Sequence, residues 1–199
     1  VLSEDYIEKM IYWASQKEDA LLGSFAFDLS TKQPFYGGEI INWKRARAVI
    51  LLEQLKPDEY NGLHKVTHYP GRGLLIPVKV FRKIGFYDEK NFPQMIADLD
   101  FTFRAERNGF EIYCNYDAKL FVRSEESGDY QIQKNKSFKN YMQHLFGIKG
   151  GGNLKVFTIF AIKNCPGIYL PLFMIIGILK RLFGYPLKWF NEIVFSHNK

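Results

Sequence analysis

Apolar residues near the start of the chain recur with the period of an α-helix. The apolar face of this predicted helix comprises Ile7, Met10, Ile11 and Ala14. Ser3 precedes the face and is expected to cap the helix. A second, shorter helix is predicted between Pro77 and Gly85, because proline fits a first helical turn and glycine ends a helix.

Shorter apolar runs in the middle of the chain have the composition of β-strands. They lie at 74–76, 110–114 and 119–122. The last two flank the turn sequence Asn115-Tyr116-Asp117, so we expect two separate strands there. Strands interspersed with helices predict an α/β fold.

A third helix is predicted within residues 97–109. Its apolar side is formed by Phe101 and Ala105 with Phe103 behind them, and Gly109 ends it. Polar residues are spread over its other faces: Asp100, Arg104 and Glu106.

Two carboxylates at the start of this helix have two interpretations. Asp98 and Asp100 fall in or just before its first turn, where unpaired N–H groups and the helix dipole favour an ionised carboxylate. In the structural interpretation they cap the helix and complement its dipole, and Asp100 pairs with Arg104 four residues on. In the functional interpretation, a carboxylate that is kept ionised at the helix start takes part directly in a catalysed reaction.

Charge is distributed unevenly over the 199 residues of the chain. Residues 132–199 contain ten Lys or Arg and one acidic residue, Glu192, whereas residues 1–131 contain 17 basic and 20 acidic residues. We therefore expect a domain at 1–131 and a basic, apolar helical tail at 132–199.

The tail combines apolar runs with flanking basic residues. Its longest uncharged stretch, Asn164 to Leu179, is shorter than the roughly 20 residues that a spanning helix needs. It is also expected to be interrupted at Pro166, Pro171 and Gly177. Aromatic residues suited to a membrane interface occur at Tyr169, Tyr185 and Trp189. Full spanning is therefore possible but not favoured, and the tail suits helices that lie in, or dip into, an anionic leaflet.

The tail has two other interpretations. The apolar runs could form a helix hairpin in the core of a soluble protein. A basic, aromatic tail can also bind nucleic acid, but these runs are too continuous for a solvated phosphate-binding face, so we expect no nucleic-acid partner.

Two loops contain candidate ligand-binding residues. Trp43 follows an aromatic, glycine-rich stretch, and its ring can stack on a sugar face or simply pack in a loop. Arg72 lies in the turn at 69–73, where its planar fork can hold a phosphate or carboxylate, or it is a plain surface arginine.

The cysteines and histidines carry less information. Cys114 and Cys165 are too few and too far apart in sequence for a disulfide framework or a zinc site, so reduced thiols are expected. His64 and His68 lie four residues apart in an extended stretch, where surface positions are favoured over a metal pair.

The order of these elements resembles the C-terminal half of the catalytic domain of family 2 glycosyltransferases, inverting enzymes with the GT-A (Rossmann-like) fold. The resemblance covers about residues 1–122. The residues that carry it are Gly73, Leu75-Ile76-Pro77, Lys83-Ile84-Gly85, Tyr87-Asp88-Glu89, Asp98-Leu99-Asp100, Arg104 and Gly109.

This resemblance implies roles for individual residues. Asp98 would be the catalytic base, which takes the proton of an acceptor hydroxyl as that oxygen attacks the anomeric carbon of a nucleotide-activated sugar. Asp100 and Arg104 would be supporting residues that orient the base and its loop. Arg72 and Gly73 would lie near the donor phosphates or the acceptor.

The resemblance also implies partners. The donor would be a nucleotide-diphosphate sugar with Mg²⁺ or Mn²⁺, and we expect the metal and nucleotide ligands in sequence that precedes Val1, so that these residues alone would be inactive. The acceptor would be a saccharide or a lipid-linked molecule. The family often has Glu before the base, where this chain has Ala97, and this difference bears on acceptor contacts.

The expected activity is hexosyl or deoxyhexosyl transfer at the cytoplasmic face of the cell membrane, in the synthesis of a cell-surface polysaccharide or glycolipid. Because Gln143-His144-Leu145-Phe146 does not match the Gln-x-x-Arg-Trp motif of processive enzymes, one sugar per event is expected. The alternative is a non-catalytic membrane-binding or scaffold module, in which the carboxylates only cap a helix and the tail docks on lipid.

Overall fold

The computed structural model describes residues 1–123 and 128–196, which fall into two compact units. Among these residues, the first unit comprises 1–42, 47–88 and 96–123, and the second comprises 43–46, 89–95 and 128–196. The first unit has a mixed α/β fold and the second is helical. Two short segments from the first 131 residues, 43–46 and 89–95, therefore group with the helical unit.

A curled, mixed sheet of four strands forms the centre of the first unit. Its strands are β1 (Leu21–Asp28), β2 (Pro34–Tyr36), β5 (Leu63–Lys65) and β6 (Ile112–Val122), in the order β2-β1-β6-β5. The two central strands, β1 and β6, are parallel, and each edge strand is antiparallel to its neighbour. A separate hairpin pairs β3 (Glu39–Asn42) with β4 (Arg47–Ile50).

Three helices belong to the same unit: α1 (Tyr6–Gln16), α2 (Val78–Ile84) and α3 (Ala97–Arg107). Single 3-10 turns lie at Leu51–Glu53 and Pro57–Glu59 in this unit, and one at Trp43–Arg45 belongs to the second unit. The helix predicted between proline and glycine is confirmed, because Pro77 and Gly85 flank α2. The apolar run at 74–76 is not a full strand, since only Leu75 bridges to β1, through Leu22.

Residues 112–122 form one strand rather than two. Ser24 pairs with Asn115 but Phe25 pairs with Lys119, so residues 116–118 are additional in β6 and the register shifts there. The prediction of a turn at Asn115-Tyr116-Asp117 was therefore wrong. Tyr116 is fully buried, and its hydroxyl donates to the carbonyl of Gly37 at 2.8 Å, which holds the irregular part of the strand in the core.

Both faces of the sheet are covered. Leu21 and Phe25 of β1 face a core that includes Phe101 of α3, whereas Leu22 packs with Met10 of α1 on the opposite face. Because successive strand residues point to opposite faces, this arrangement requires the near-continuous apolar run of β1.

The buried side of α1 differs from the predicted face. Ile7 and Ile11 are 58% and 63% exposed, whereas Tyr6 and Met10 are buried. The hydroxyl of Tyr6 lies 2.6 Å from Ser24 Oγ in β1, and this hydrogen bond turns a polar-tipped aromatic inward. Asp5 is the N-cap residue, so the prediction that Ser3 caps the helix was also wrong.

The second unit contains α4 (Gly128–Lys134), α5 (Phe138–Phe146), α6 (Leu154–Asn164) and α7 (Leu170–Ser196). Pro171 and Gly177 were expected to interrupt the tail, but α7 runs through both. Pro171 lies in the first turn, where a missing N–H costs nothing. A Cβ on Gly177 would lie 2.0 Å from the ring of Phe157, so glycine permits the close approach of α6.

Helix α7 is long and apolar enough to cross a membrane, judged by length and composition alone. The candidate span, Leu170–Val194, contains 25 residues and is 17% buried. The helix does not end with the uncharged stretch at Leu179 but continues past Lys180 and Arg181. The length and apolar composition of α7 thus support a membrane-associated tail.

The core between β1 and α3 generates a prediction about stability. Replacing Phe101, which is fully buried, with alanine should lower the free energy of unfolding by about 3–5 kcal/mol, because burial is lost and a cavity is left. Urea unfolding followed by circular dichroism measures the change. The control is Phe86→Ala at a position that is 78% exposed, where we expect almost no effect; equal losses for the two variants would contradict the assigned core.

Candidate functional site

The side chain of Asp98 bridges α3 and the turn at 69–73. Its Oδ2 accepts the backbone N–H of Gly71 at 2.6 Å, and its Oδ1 accepts the N–H of Leu99 at 3.0 Å. The carboxylate is partly exposed. A carboxylate has about four lone-pair positions, so two accepted hydrogen bonds leave both oxygens able to accept another proton donor.

Neither aspartate caps the helix. The N-cap residue of α3 is Ile96, and no side chain provides a cap hydrogen bond there. Ile96 adopts φ 70° and ψ −2°, a left-handed conformation that is strained for a β-branched residue. The capping interpretation of Asp98 is therefore wrong, and the backbone is strained two residues before it.

Further hydrogen bonds fix the turn against α3 and β1. Thr102 Oγ1 accepts the N–H of Tyr69 at 3.1 Å and donates to the carbonyl of Asp98 at 2.9 Å. The hydroxyl of Tyr69 donates to the carbonyl of Ser24 in the sheet. The turn is thus held on two sides, which fixes the Gly71 N–H against Asp98.

Gly73 ends this turn in a conformation that requires glycine. Its φ is 60°, and a Cβ would lie 2.4 Å from Ser24 Oγ and 2.6 Å from the Tyr6 hydroxyl. The Gly73 carbonyl accepts a hydrogen bond from Ser24 Oγ at 2.7 Å. Gly73 therefore has a packing role, and its predicted role in substrate binding stays a prediction.

Asp100 and Arg104 form the predicted pair four residues apart, but the pair is buried rather than spread over the outer faces of the helix. Arg104 Nε lies 2.9 Å from Asp100 Oδ2, and the Asp100 side chain is 0% exposed. Arg104 Nη1 and Nη2 donate to the carbonyls of Ile84 and Phe86, both at 2.8 Å. The pair thus links α3 to the end of α2.

Arg72 is in contact with aromatic rings. Its guanidinium carbon lies 4.9 Å from the ring centroid of Phe35 and 5.6 Å from that of Tyr36. Such contacts use the face of the guanidinium, so they do not occupy the N–H donors along its edge. Arg72 is therefore not a plain solvated arginine, and anion binding by its edge stays a prediction.

Two tyrosines lie close enough to Asp98 to respond to its charge. Burial raises the pKa of the Tyr36 phenol, the negative charges of Glu39 and Asp98 raise it further, and Arg72 lowers it. Burial also raises the pKa of Tyr87, with Asp98 adding to the effect. Tyr36 and Tyr87 are therefore neutral hydrogen-bonding groups near the carboxylate.

Trp43 belongs to the second unit. Its ring centroid lies 5.0 Å from that of Phe173 and 6.4 Å from that of Phe160. These contacts favour the packing interpretation of this residue. Sugar stacking by Trp43 stays a prediction.

The histidines have other partners than each other. His64 Nε2 lies 3.0 Å from the carbonyl of Asn61, whereas His68 is buried and stacks on Phe103 at 4.7 Å. Within residues 1–123 and 128–196, no three or more His, Cys, Asp or Glu side chains are grouped so that they could hold a metal ion.

A cavity of about 420 Å³ lies elsewhere in the first unit. Its lining includes Lys65, Thr67, Glu106 and Glu111. Glu106 is in the last turns of α3, the end opposite Asp98, and no predicted site residue lines the cavity. The side chains of Asp98, Asp100 and Arg104 therefore do not open into it.

Several residues around Asp98 were missed by the sequence reasoning. Gly71 and Thr102 act through a backbone N–H and a hydroxyl, which have no characteristic spacing. Tyr36 and Phe35, which contact Arg72, belong to the aromatic, glycine-rich stretch before Trp43. The position of Thr102 four residues after Asp98, on the same helix face, was an available signal.

Comparison with known proteins assigns no family to the chain. No model of a known protein family matches the chain, and a search of curated proteins finds no match.

The buried ion pair generates a second prediction. Asp100→Asn should lower the free energy of unfolding by about 3 kcal/mol, because Arg104 loses its buried counter-charge. Urea unfolding measures this. The matched control is Glu111→Gln in the pair of Lys65 and Glu111, whose side chains are 65% and 47% exposed, where no measurable change is expected. Similar losses in both variants would contradict a structural role for the buried pair.

The cysteines generate a third prediction. Burial raises the pKa of the Cys114 thiol to about 12 and also raises the pKa of Cys165, so little thiolate is present at neutral pH. The folded protein should therefore resist a disulfide reagent such as DTNB, and both free thiols should react after denaturation. Rapid reaction of the folded protein would show that either site opens readily.

Proposed function

We propose that the chain is the acceptor-side part of an inverting, non-processive family 2 glycosyltransferase with a GT-A (Rossmann-like) domain. Its donor is a nucleotide-diphosphate sugar and its acceptor is a saccharide or lipid-linked hydroxyl. The reaction belongs to cell-surface polysaccharide or glycolipid synthesis at the cytoplasmic face of the cell membrane. The ordered resemblance of residues 1–122 supports this proposal.

The observation that carries the proposal is the placement of the Asp98 side chain. It is partly exposed, reaches outside its own helix, and is held by the Gly71 N–H at 2.6 Å instead of capping α3. A general base needs a fixed carboxylate oxygen within hydrogen-bond reach of the attacking group, and this carboxylate is both fixed and accessible.

The reaction at this carboxylate is a proton transfer coupled to substitution. As the acceptor oxygen forms its bond to the anomeric carbon, its proton moves to an oxygen of Asp98. The bond between that carbon and the donor phosphate oxygen breaks, and the nucleoside diphosphate leaves with the electron pair. Attack opposite the leaving group inverts the anomeric configuration.

The neighbouring residues have distinct roles in this proposal. Asp100 and Arg104 are positioning residues, because their buried pair fastens α3 to the carbonyls of Ile84 and Phe86. Arg72 is oriented by Phe35 and Tyr36, so that the edge of its guanidinium can hold a phosphate or carboxylate of a substrate.

The fold is compatible with the C-terminal part of a GT-A domain. Helices α2 and α3 lie in the connection from β5 to β6, and β6 pairs in parallel with β1 on its other side. Asp98 thus lies on the helix that leads into a central strand of the sheet. Antiparallel edge strands are common in such mixed sheets.

The resemblance also implies Mg²⁺ or Mn²⁺, which would stabilise the diphosphate leaving group. The residues of this structure do not fit such an ion, because the described residues offer no cluster of three His, Cys, Asp or Glu side chains. No step of the proposed reaction is therefore routed through a metal ligand of this chain.

The proposed base is tested by Asp98→Asn in the protein as encoded, including any sequence that precedes Val1. Sugar transfer should fall by about 10²- to 10⁴-fold, because the amide cannot accept the acceptor proton. Binding of the nucleotide sugar, measured by calorimetry, should be retained. The matched control is Asp58→Asn, an exposed carboxylate in a 3-10 turn, which should leave transfer unchanged.

Wild-type turnover in Asp98→Asn would refute the base. Loss of transfer together with loss of nucleotide-sugar binding would indicate a structural role instead. The coding sequence upstream of Val1 supplies a further check, since an Asp-x-Asp after apolar strands would support the enzyme.

A non-catalytic membrane-binding module is the second candidate. The exposed apolar side of α7 favours it, because that feature needs no catalytic residue. The transfer assay distinguishes the two candidates. The glycosyltransferase transfers sugar when Asp98 is intact, whereas the membrane-binding module shows no transfer even with Asp98 intact.

A further inference from the structure

Helix α7 carries a continuous exposed row of apolar side chains. We define the apolar stripe as Leu172, Ile175, Leu179, Phe183, Leu187 and Phe190, which are 47–64% exposed. Their spacing of three or four residues places them on one face over about 27 Å of helix. The charged residues of α7 between Leu172 and Phe190 lie outside this stripe: Lys180, Arg181 and Lys188.

The opposite side of α7 is packed along its length within the second unit. Near its start, Phe173 is buried and lies 5.6 Å from Phe157 of α6. Near its middle, the carbonyl of Leu182 accepts the hydroxyl of Tyr141 in α5 at 2.9 Å. Tyr185 is 3% exposed, so α5 and α6 cover α7 from its first turns to this residue.

Charged groups are part of this cover. Lys180 Nζ donates to the carbonyl of Ala46 at 2.8 Å, and the guanidinium carbon of Arg181 lies 3.6 Å from the centroid of the Phe157 ring. Lys136 Nζ lies 3.4 Å from Glu192 Oε1. If α7 crossed a bilayer with this packing kept, these groups would be carried toward the hydrocarbon, which is costly for charged side chains.

We propose that α7 lies in the plane of an anionic leaflet, with the apolar stripe inserted and the covered side toward water. This arrangement buries the six apolar side chains and keeps every charged group named above out of the hydrocarbon. Although α7 is long enough to span a bilayer, its axis then runs parallel to the membrane surface. The inference rests on the membrane association in the proposed function and is independent of glycosyl transfer.

The positive charge of the tail favours an anionic lipid surface as the partner that the apolar stripe contacts. Residues 132–199 contain ten Lys or Arg and one acidic residue. Lys180 and Lys188 are exposed on α7 outside the stripe and add to this positive charge. A second protein surface of ordinary composition offers no such match to this excess of basic residues.

Vesicle flotation of the full chain tests the surface. The wild type should float with vesicles of equal parts phosphatidylglycerol and phosphatidylcholine, and less with phosphatidylcholine alone or at high salt. The double variant Phe183→Glu and Leu187→Glu should bind on the order of a hundredfold more weakly, because two inserted side chains are lost.

The matched control is the double variant Ile7→Glu and Ile11→Glu. It makes the same kind of change at two positions of α1 that are 58% and 63% exposed, and it should float like the wild type. Circular dichroism spectra identical to the wild type show that both variants are folded. Equal flotation of the two double variants would overturn the stripe.

Probe depth separates lying from spanning. A fluorophore is attached to Leu172→Cys, Phe183→Cys or Phe190→Cys and quenched by lipids labelled at shallow or deep acyl positions. An in-plane helix places all three probes at one shallow depth. A deep Phe183 probe with shallow probes at Leu172 and Phe190 would overturn the proposal in favour of a span.

Light scattering without lipid tests whether a second copy of the chain, rather than a leaflet, contacts the apolar stripe. A monomer supports the leaflet as the partner of the stripe. A dimer that the variant Phe183→Glu and Leu187→Glu dissociates, combined with no flotation of the wild type, would assign the stripe to a second copy instead. Because Asp98 is not altered in these experiments, failure here leaves the test of glycosyl transfer intact, and the reverse also holds.

Discussion

The parallel pairing of β1 with β6 is the constraint on which the rest of the first unit depends. Parallel neighbours cannot be joined by a tight turn, so the chain between them must leave the sheet and return. Between them the chain forms β2, the hairpin of β3 and β4, and β5, and then a last segment with the turn at 69–73, α2 and α3 that leads from β5 into β6. Asp98 and the Gly71 N–H meet within this last segment, which packs against the sheet.

Within this last segment, polar side chains make two kinds of contact, one between neighbouring helices and one with the sheet. The buried pair of Asp100 and Arg104 joins neighbouring helices, and the hydroxyl of Tyr69 fastens the turn to the sheet at Ser24. Asp98 is held less completely and stays partly exposed. Rigid surroundings and one accessible carboxylate are what a general base requires, and the strained backbone at Ile96 is tolerated beside them.

In the second unit, helix α7 is amphipathic, and its two sides have different surroundings. One side of α7 is covered by α5 and α6 and contains the charged residues, and the other side is the apolar stripe. A helix of this length is compatible with spanning only if its cover can also enter the bilayer. Membrane orientation is therefore a property of the packed unit and not of hydropathy along one helix.

Local patterns predicted a large part of the structure. The α2 helix between Pro77 and Gly85, the α3 helix, and the pairing of Asp100 with Arg104 all follow from interactions within a few residues, which the order of side chains specifies directly. The division of charge between the first 131 residues and the tail is likewise a property of sequence alone.

Contacts between distant segments were decided by tertiary structure. Sequence spacing cannot show that Gly71 would bind Asp98, that Tyr6 would turn inward in place of Ile7, or that residues 116–118 would continue a strand. The close approach of Phe157 to α7 at Gly177 is likewise a contact with another helix that the order of residues does not show. Each of these outcomes is set by packing and hydrogen bonds between residues far apart in the chain, whereas helix and charge patterns are set by neighbours.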